Sequence, residues 1–193
     1  YYADKNVKKV PFRIVTTASA DVPLKGLDFL LKAFARIKKV HSDATLQIIG
    51  GSKKGGHTKR LIKKLNIESA ITFNKNLSFK EVRDLYCSAD IVAIPSLYEG
   101  FGFAVGEAMA CKVPVITTSG GAIPEVIKDC GMIVNPGSSK ELEEAILKLL
   151  PNEDLKNTLA EKGFQRIQKD LQWKEVAIRA TQMYETEIKR LEN

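Results

Sequence analysis

The sequence predicts an α/β protein: a Rossmann-like, doubly wound parallel sheet of about six strands, with helices on both faces and further helices at the C-terminus. Three observations carry this reading. Short runs rich in Val, Ile and Thr alternate with longer stretches whose apolar residues recur at helical spacing. Glycine or proline closes several of the strand-like runs, as at Gly50-Gly51 and Pro95. The regular alternation requires right-handed crossovers, which place the strands parallel and the helices over both faces.

Phe12 to Thr17 is the first strand, and Leu27, Leu30, Leu31, Phe34 and Ile37 then give residues 25–40 one apolar stripe. Thr45 to Ile49 is the second strand, and a basic helix follows over 59–65. Ala70 to Phe73 is the third. Ser78, with Glu81 three residues on, forms a capping box that starts a helix through Tyr86. Ile91 to Ile94 is the fourth strand, followed by a helix from Phe103 to Ala110. Val113 to Thr117 and Met132 to Val134 are the fifth and sixth, with a short helix at Pro124 to Lys128 between them. Residues 138–150 form a further helix, and a helical tail fills 152–191. Trp173, Val176 and Tyr184 give that tail one apolar stripe, expected to pack. There is no internal repeat, low-complexity segment or linker.

Length suits one domain. Hydrophobic residues at 44% and charged residues at 27% describe a globular chain with enough apolar surface to build a core. No apolar run approaches the roughly 20 residues that span a bilayer. The chain opens at Tyr1 without a methionine, so it is expected to be a piece of a longer protein. Cys87, Cys111 and Cys130 lack metal-ligand spacing, and with two histidines a zinc site is not expected. Their odd number suits a reducing, cytoplasmic setting. The net charge of +7 gathers in lysine pairs (Lys8-Lys9, Lys38-Lys39, Lys53-Lys54 and Lys63-Lys64). These read first as solvated faces, with an anionic membrane surface left open as a peripheral partner. The pairs lack the interleaved aromatics of a nucleic-acid surface, so no nucleic-acid partner is expected.

A doubly wound sheet binds ligands in the crevice beyond the carboxyl ends of its strands, so the loops after strands are the candidates. Gly51 begins a glycine-rich loop between strand and helix, but His57 stands where a triphosphate-binding loop needs lysine. It reads as a flexible turn at the ligand's edge. After the first strand, Leu24-Lys25-Gly26 places a cation where a helix begins. Lys25 is either an ordinary surface lysine or a partner to a diphosphate. Residues 95–110 carry the strongest signal. Gly100 and Gly102 let backbone approach a ligand, and a helix starts near Phe103 with free amide donors. Glu99 and Glu107 then flank an anion site. On spacing alone they could equally be a solvated loop residue and a helix glutamate.

Glu99 to Glu107 resembles the Glu-x7-Glu motif of group 1, retaining-type glycosyltransferases, which have the two-Rossmann GT-B fold. The similarity continues through Ala108 to Ile116 and Gly120 to Val126. Lys25-Gly26 matches the family's phosphate-binding pair, and Trp173 to Val176 resembles its tail helix. The resemblance implies that residues 1–193 are the C-terminal, nucleotide-sugar-binding Rossmann-like domain, with the N-terminal acceptor domain absent from this chain. It implies that Glu99 contacts the donor sugar and that the backbone of Gly100, Phe101, Gly102 and Phe103 lines sugar and phosphate. The amides of Ala104 and Val105 would meet the diphosphate, and Glu107 the ribose. Main-chain atoms of Phe73, Asn74 and Lys75 would read the base. Lys25 and Glu99 are the residues placed nearest the chemistry, because Lys25 neutralises the leaving diphosphate.

The family's arginine, five or six residues before its lysine, is replaced by Ala20 and Ser19. No Asp-x-Asp motif occurs, so neither a metal nor another cofactor is expected. The donor could be UDP-, GDP- or ADP-linked. Two alternatives accompany this reading: a GT-B-fold sugar-nucleotide epimerase, and a non-catalytic nucleotide- or nucleic-acid-binding module.

Overall fold

A computed structural model of the chain describes residues 1–19 and 21–191. Six parallel strands form one sheet: β1 (Arg13–Thr17), β2 (Thr45–Ile49), β3 (Ile71–Asn74), β4 (Ile91–Ile94), β5 (Val115–Thr118) and β6 (Met132–Val134). Their order is β3-β2-β1-β4-β5-β6. The chain therefore winds one way from β1 to β3 and the other way from β4 to β6. The order reverses between β1 and β4, where Val15 pairs with Val92. A crevice opens at that point, beyond the carboxyl ends of the two strands.

Eight helices complete the described fold: α1 (Leu27–Val40), α2 (His57–Lys64), α3 (Phe79–Cys87), α4 (Phe103–Ala110), α5 (Ile123–Ile127), α6 (Ser139–Leu149), α7 (Glu153–Arg166) and α8 (Trp173–Leu191). Alternate strand residues point to opposite faces. Ile14, Leu46, Ile48, Ala93 and Ile116 join Leu30, Phe34, Leu142 and Ile146 in one core, under α1 and α6. Val15, Val92, Ile94 and Val115 join Tyr86, Val105 and Met109 in the other, under α3 and α4. At the amino end of the sheet, buried Lys156 donates to Asp90 at 2.6 Å, and Asp90 also accepts from the Phe12 amide at 3.0 Å. Among the described residues no helix is long and apolar enough to cross a membrane.

The predicted elements are all present, and their differences from expectation have local causes. The first helix begins at Leu27 and not at residue 25, because Pro23–Lys25 forms a 3-10 turn and Gly26 takes a left-handed φ of 64°. Strand β3 starts one residue late, Ala70 being held in the turn before it. Pro114 lies outside β5 but still accepts from the Val92 amide. The Ser78–Glu81 capping box is complete, with both reciprocal hydrogen bonds formed. Ser138 caps α6 from outside, its hydroxyl accepting from the Glu141 amide at 3.2 Å.

The tail departs most from expectation. A π turn (Ile167–Leu171) ends α7, and extended Gln172 redirects the chain into α8. That helix buries none of its residues. Trp173 and Tyr184 are 79% and 65% exposed, so their stripe does not pack within the described chain. Helical periodicity identifies an apolar face but not the surface that will cover it.

Candidate functional site

Backbone contacts stitch together the loops after β1, β4 and β5. The Leu97 amide donates to the Leu24 carbonyl at 2.8 Å, and the Ala122 amide to the Glu99 carbonyl at 3.0 Å. Glu99 and Gly121 also form an isolated parallel bridge. Two glycines permit this approach. A methyl group on Gly26 would lie 1.9 Å from the Pro95 carbonyl oxygen, and one on Gly121 would lie 2.2 Å from that of Glu99. Both have positive φ, so any side chain there would meet strain as well as collision.

This framework brings Lys25 and Glu99 together across the switch point. Lys25 Nζ lies 2.7 Å from Glu99 Oε1, and the Ser96 hydroxyl donates to the same oxygen at 2.7 Å. Both charged side chains are partly exposed. Ser96 is fully buried and follows directly on Pro95. Sequence reasoning missed its role, because a serine after a strand carries no signal of what it will touch.

Helix α4 points its N-terminus into the same crevice. Gly102 precedes it with φ of 90° and supplies no capping side chain. The Val105 amide donates to the Gly102 carbonyl at 3.0 Å, inside the first turn. Among the described residues, the amides of Phe103 and Ala104 have no protein acceptor. The free pair thus stands one residue earlier than the expected Ala104 and Val105. An anion placed there would satisfy donors that the helix cannot. Gly100 and Phe101 are exposed beside it, and the Phe101 and Phe103 rings pack at 4.6 Å between centroids to form an apolar rim.

Glu107 sits one turn into α4, apart from Glu99. Its Oε2 accepts from the Tyr86 hydroxyl at 3.4 Å, and that hydroxyl lies 2.5 Å from Thr17 Oγ1 at the end of β1. Burial raises the Glu107 carboxyl above the usual glutamate range, only partly offset by the Tyr86 hydrogen bond. Burial likewise pushes the Tyr86 phenol well up, so it remains a donor. Tyr86 was read only as the end of a helix, yet it is the buried link between Thr17 and Glu107.

The remaining candidates stand farther out. β3 is an edge strand, separated from β1 by β2. The Asn74 carbonyl accepts from the Gly50 amide at 2.9 Å, which pins the loop holding Phe73, Asn74 and Lys75 to the turn that begins at Gly50 and Gly51. Phe73 packs against the core, whereas Lys75 and Gly51 are exposed. The glycine-rich loop is also more constrained than a flexible turn. Asp21 Oδ1 accepts from the Thr58 amide at 3.0 Å, tying the loop after β1 to the start of α2. That hydrogen bond lowers the Asp21 carboxyl below its usual range. Of the two positions that replace the family arginine, Ser19 is exposed and Ala20 lies outside the described residues.

The sequence model described as "Glycosyl transferases group 1" matches residues 2–166. An MMP alpha-(1->4)-mannosyltransferase of Mycolicibacterium hassiacum is 37% identical over 186 residues, covering 95% of this chain and 45% of the relative. A GDP-mannose-dependent monoacylated alpha-(1-6)-phosphatidylinositol monomannoside mannosyltransferase of Corynebacterium glutamicum is 28% identical, covering 90% of this chain and 47% of its own length. The chain thus spans about half the length of these curated relatives. Among solved structures, the C-terminal domain of a group 1 family glycosyl transferase from Francisella tularensis superposes with a TM-score of 0.78 at 26% identity, covering 89% of this chain and 96% of that one. The matched family model includes every loop of the crevice. This chain belongs to the group 1 glycosyltransferases.

Proposed function

We propose that this chain is the donor-binding domain of a glycosyltransferase that moves a hexosyl group from a nucleotide sugar to an acceptor hydroxyl, with retention. The single observation that carries the reading is the pairing of Lys25 with Glu99 at the switch point, beside the unpartnered amides of Phe103 and Ala104. A nucleoside diphosphate fits that combination of cation and helix N-terminus. Lys25 and the two amides stabilise the charge that develops on the leaving diphosphate. Glu99 accepts hydrogen bonds from the sugar, held in place by Ser96, and Glu107 accepts from the ribose diol. The base lies toward Phe73, Asn74 and Lys75. The attacking hydroxyl approaches the face that the diphosphate leaves and passes its proton to a departing phosphate oxygen.

The charge is met by Lys25 and backbone donors, so we propose binding without a resident metal. The acceptor and any general base belong to a domain outside residues 1–193, which transfer no sugar by themselves. Orientation across a two-domain cleft can supply roughly 7–11 kcal/mol of a barrier. The Corynebacterium glutamicum relative is GDP-mannose-dependent, which makes GDP-mannose the first donor to examine.

Calorimetry with UDP, GDP, ADP and their sugars, each with and without EDTA, tests the reading. Binding of at least one diphosphate that survives EDTA is expected. Absence of binding across the panel would overturn the donor site, and binding abolished by EDTA would overturn the metal-free claim.

A further inference from the structure

Helices α3 and α4 run back across the sheet, so their C-terminal ends lie at the end opposite the donor crevice. Cys87 ends α3 and Cys111 caps α4. Both thiols line a cavity of about 530 Å³ bounded also by Asp4, Lys5, Val7 and Lys112. The two cysteines are only 5% and 3% exposed, but this cavity gives a small reagent a route to them.

The two side chains belong to one buried cluster and line the same cavity, and Arg83, whose carbonyl the Cys111 thiol approaches, stands one helical turn before Cys87. The neighbouring Cys111 thiol is the largest influence on Cys87 and brings it down to about 6, helped by the Arg83 guanidinium and opposed by burial. Cys87 in turn pushes Cys111 up. Such a pair holds one ready nucleophile and one protonated neighbour. The Cys111 thiol also approaches the Arg83 carbonyl, at 4.0 Å, and the Cys87 thiol that of Tyr2, at 3.7 Å.

We propose that Cys87 and Cys111 are a redox-active dithiol, a modification site that a two-electron oxidant closes into an intramolecular disulfide. With a small disulfide as oxidant, the Cys87 thiolate attacks one sulfur and expels the other as thiolate. Cys111 then gives up its proton and attacks the Cys87 sulfur of the mixed disulfide, releasing the second thiolate. Two S–H bonds are replaced by one S–S bond, and the two protons and two electrons pass to the oxidant, which leaves as two thiols. The new bond joins the ends of α3 and α4. Cys130 takes no part: it neither bonds to the pair nor lines their cavity, and burial raises its thiol first, with Asp129 adding to the shift.

The test treats the native chain with diamide or oxidised glutathione, then alkylates the remaining thiols under denaturing conditions without reductant. Mass spectrometry should find one alkyl group, on Cys130, and one peptide linking Cys87 to Cys111. Dithiothreitol should restore three alkylatable cysteines. Cys111→Ser, treated alike, should lose the internal link and keep Cys130 free. Three alkylated thiols after oxidation, or Cys130 in the cross-link, would overturn the proposal. The unsubstituted chain alone decides the matter, so a variant that folds poorly does not shield it.

Discussion

Lys25 Nζ and Glu99 Oε1 form an ion pair at 2.7 Å. A diphosphate must therefore draw Lys25 away from a carboxylate or share it. This contact sharpens what substitution at each position should do.

Lys25→Ala should weaken free nucleoside diphosphate about 10-fold or more, since hydrogen bonds to charged groups are worth about 1.5–3 kcal/mol. Glu99→Gln should behave differently. It releases Lys25, so affinity for the free diphosphate should hold or rise, while the added affinity contributed by the sugar falls. A two-by-two calorimetric comparison of diphosphate and nucleotide sugar decides it. Equal losses for both ligands in Glu99→Gln would mean that Glu99 does not face the sugar.

Glu107 should impose a pH dependence. Burial raises its folded carboxyl above the usual value near 4.3. The protonated form therefore favours the folded chain below the unfolded value, and that contribution is lost as pH rises through the raised value. On the proposed function the ribose diol binds the carboxylate form of Glu107, so nucleotide affinity should be full at neutral pH and decline on acidification before an ordinary glutamate would titrate. Glu107→Gln should raise the thermal midpoint at neutral pH, flatten that decline and weaken nucleotide by roughly 10-fold. Superimposable pH profiles for the two proteins would refute the assignment.

Tyr86→Phe removes the hydroxyl that joins Thr17 to Glu107 and leaves the ring in place. Stability should fall by about 1–2 kcal/mol, because two partly buried partners lose a hydrogen bond. Nucleotide affinity should drop less than in Glu107→Gln, since the carboxylate remains. Chemical denaturation and calorimetry on one preparation would separate the two effects. An unchanged unfolding midpoint would show that the contact contributes nothing.

Gly26→Ala should be the most damaging small substitution in the crevice. Its left-handed φ costs a non-glycine residue roughly 1–3 kcal/mol, and the new methyl group would strike the Pro95 carbonyl. Loss of stability and of diphosphate affinity should appear together, since Lys25 is the adjacent residue. A variant of native midpoint would contradict the close approach of these two loops.

By itself the sequence determined the alternation of strand and helix, the capping box at Ser78, the crevice loops that carry Lys25 and Glu99, and the helix that carries Glu107. Each rests on information local in the chain: side-chain periodicity, turn residues, or a short run of motif. Tertiary structure alone decided the pairing of Lys25 with Glu99, the support of Glu99 by Ser96, and the link from Thr17 through Tyr86 to Glu107. These contacts join residues from different elements, and strand order, which the chain's local pattern does not encode, brings them within reach. The same reason explains the tail. The spacing of Trp173, Val176 and Tyr184 marks an apolar face, but α8 leaves the sheet and that face finds no cover among the described residues. Likewise Val105 keeps its amide inside the first turn, because the left-handed Gly102 sets where α4 starts and so which amides remain free.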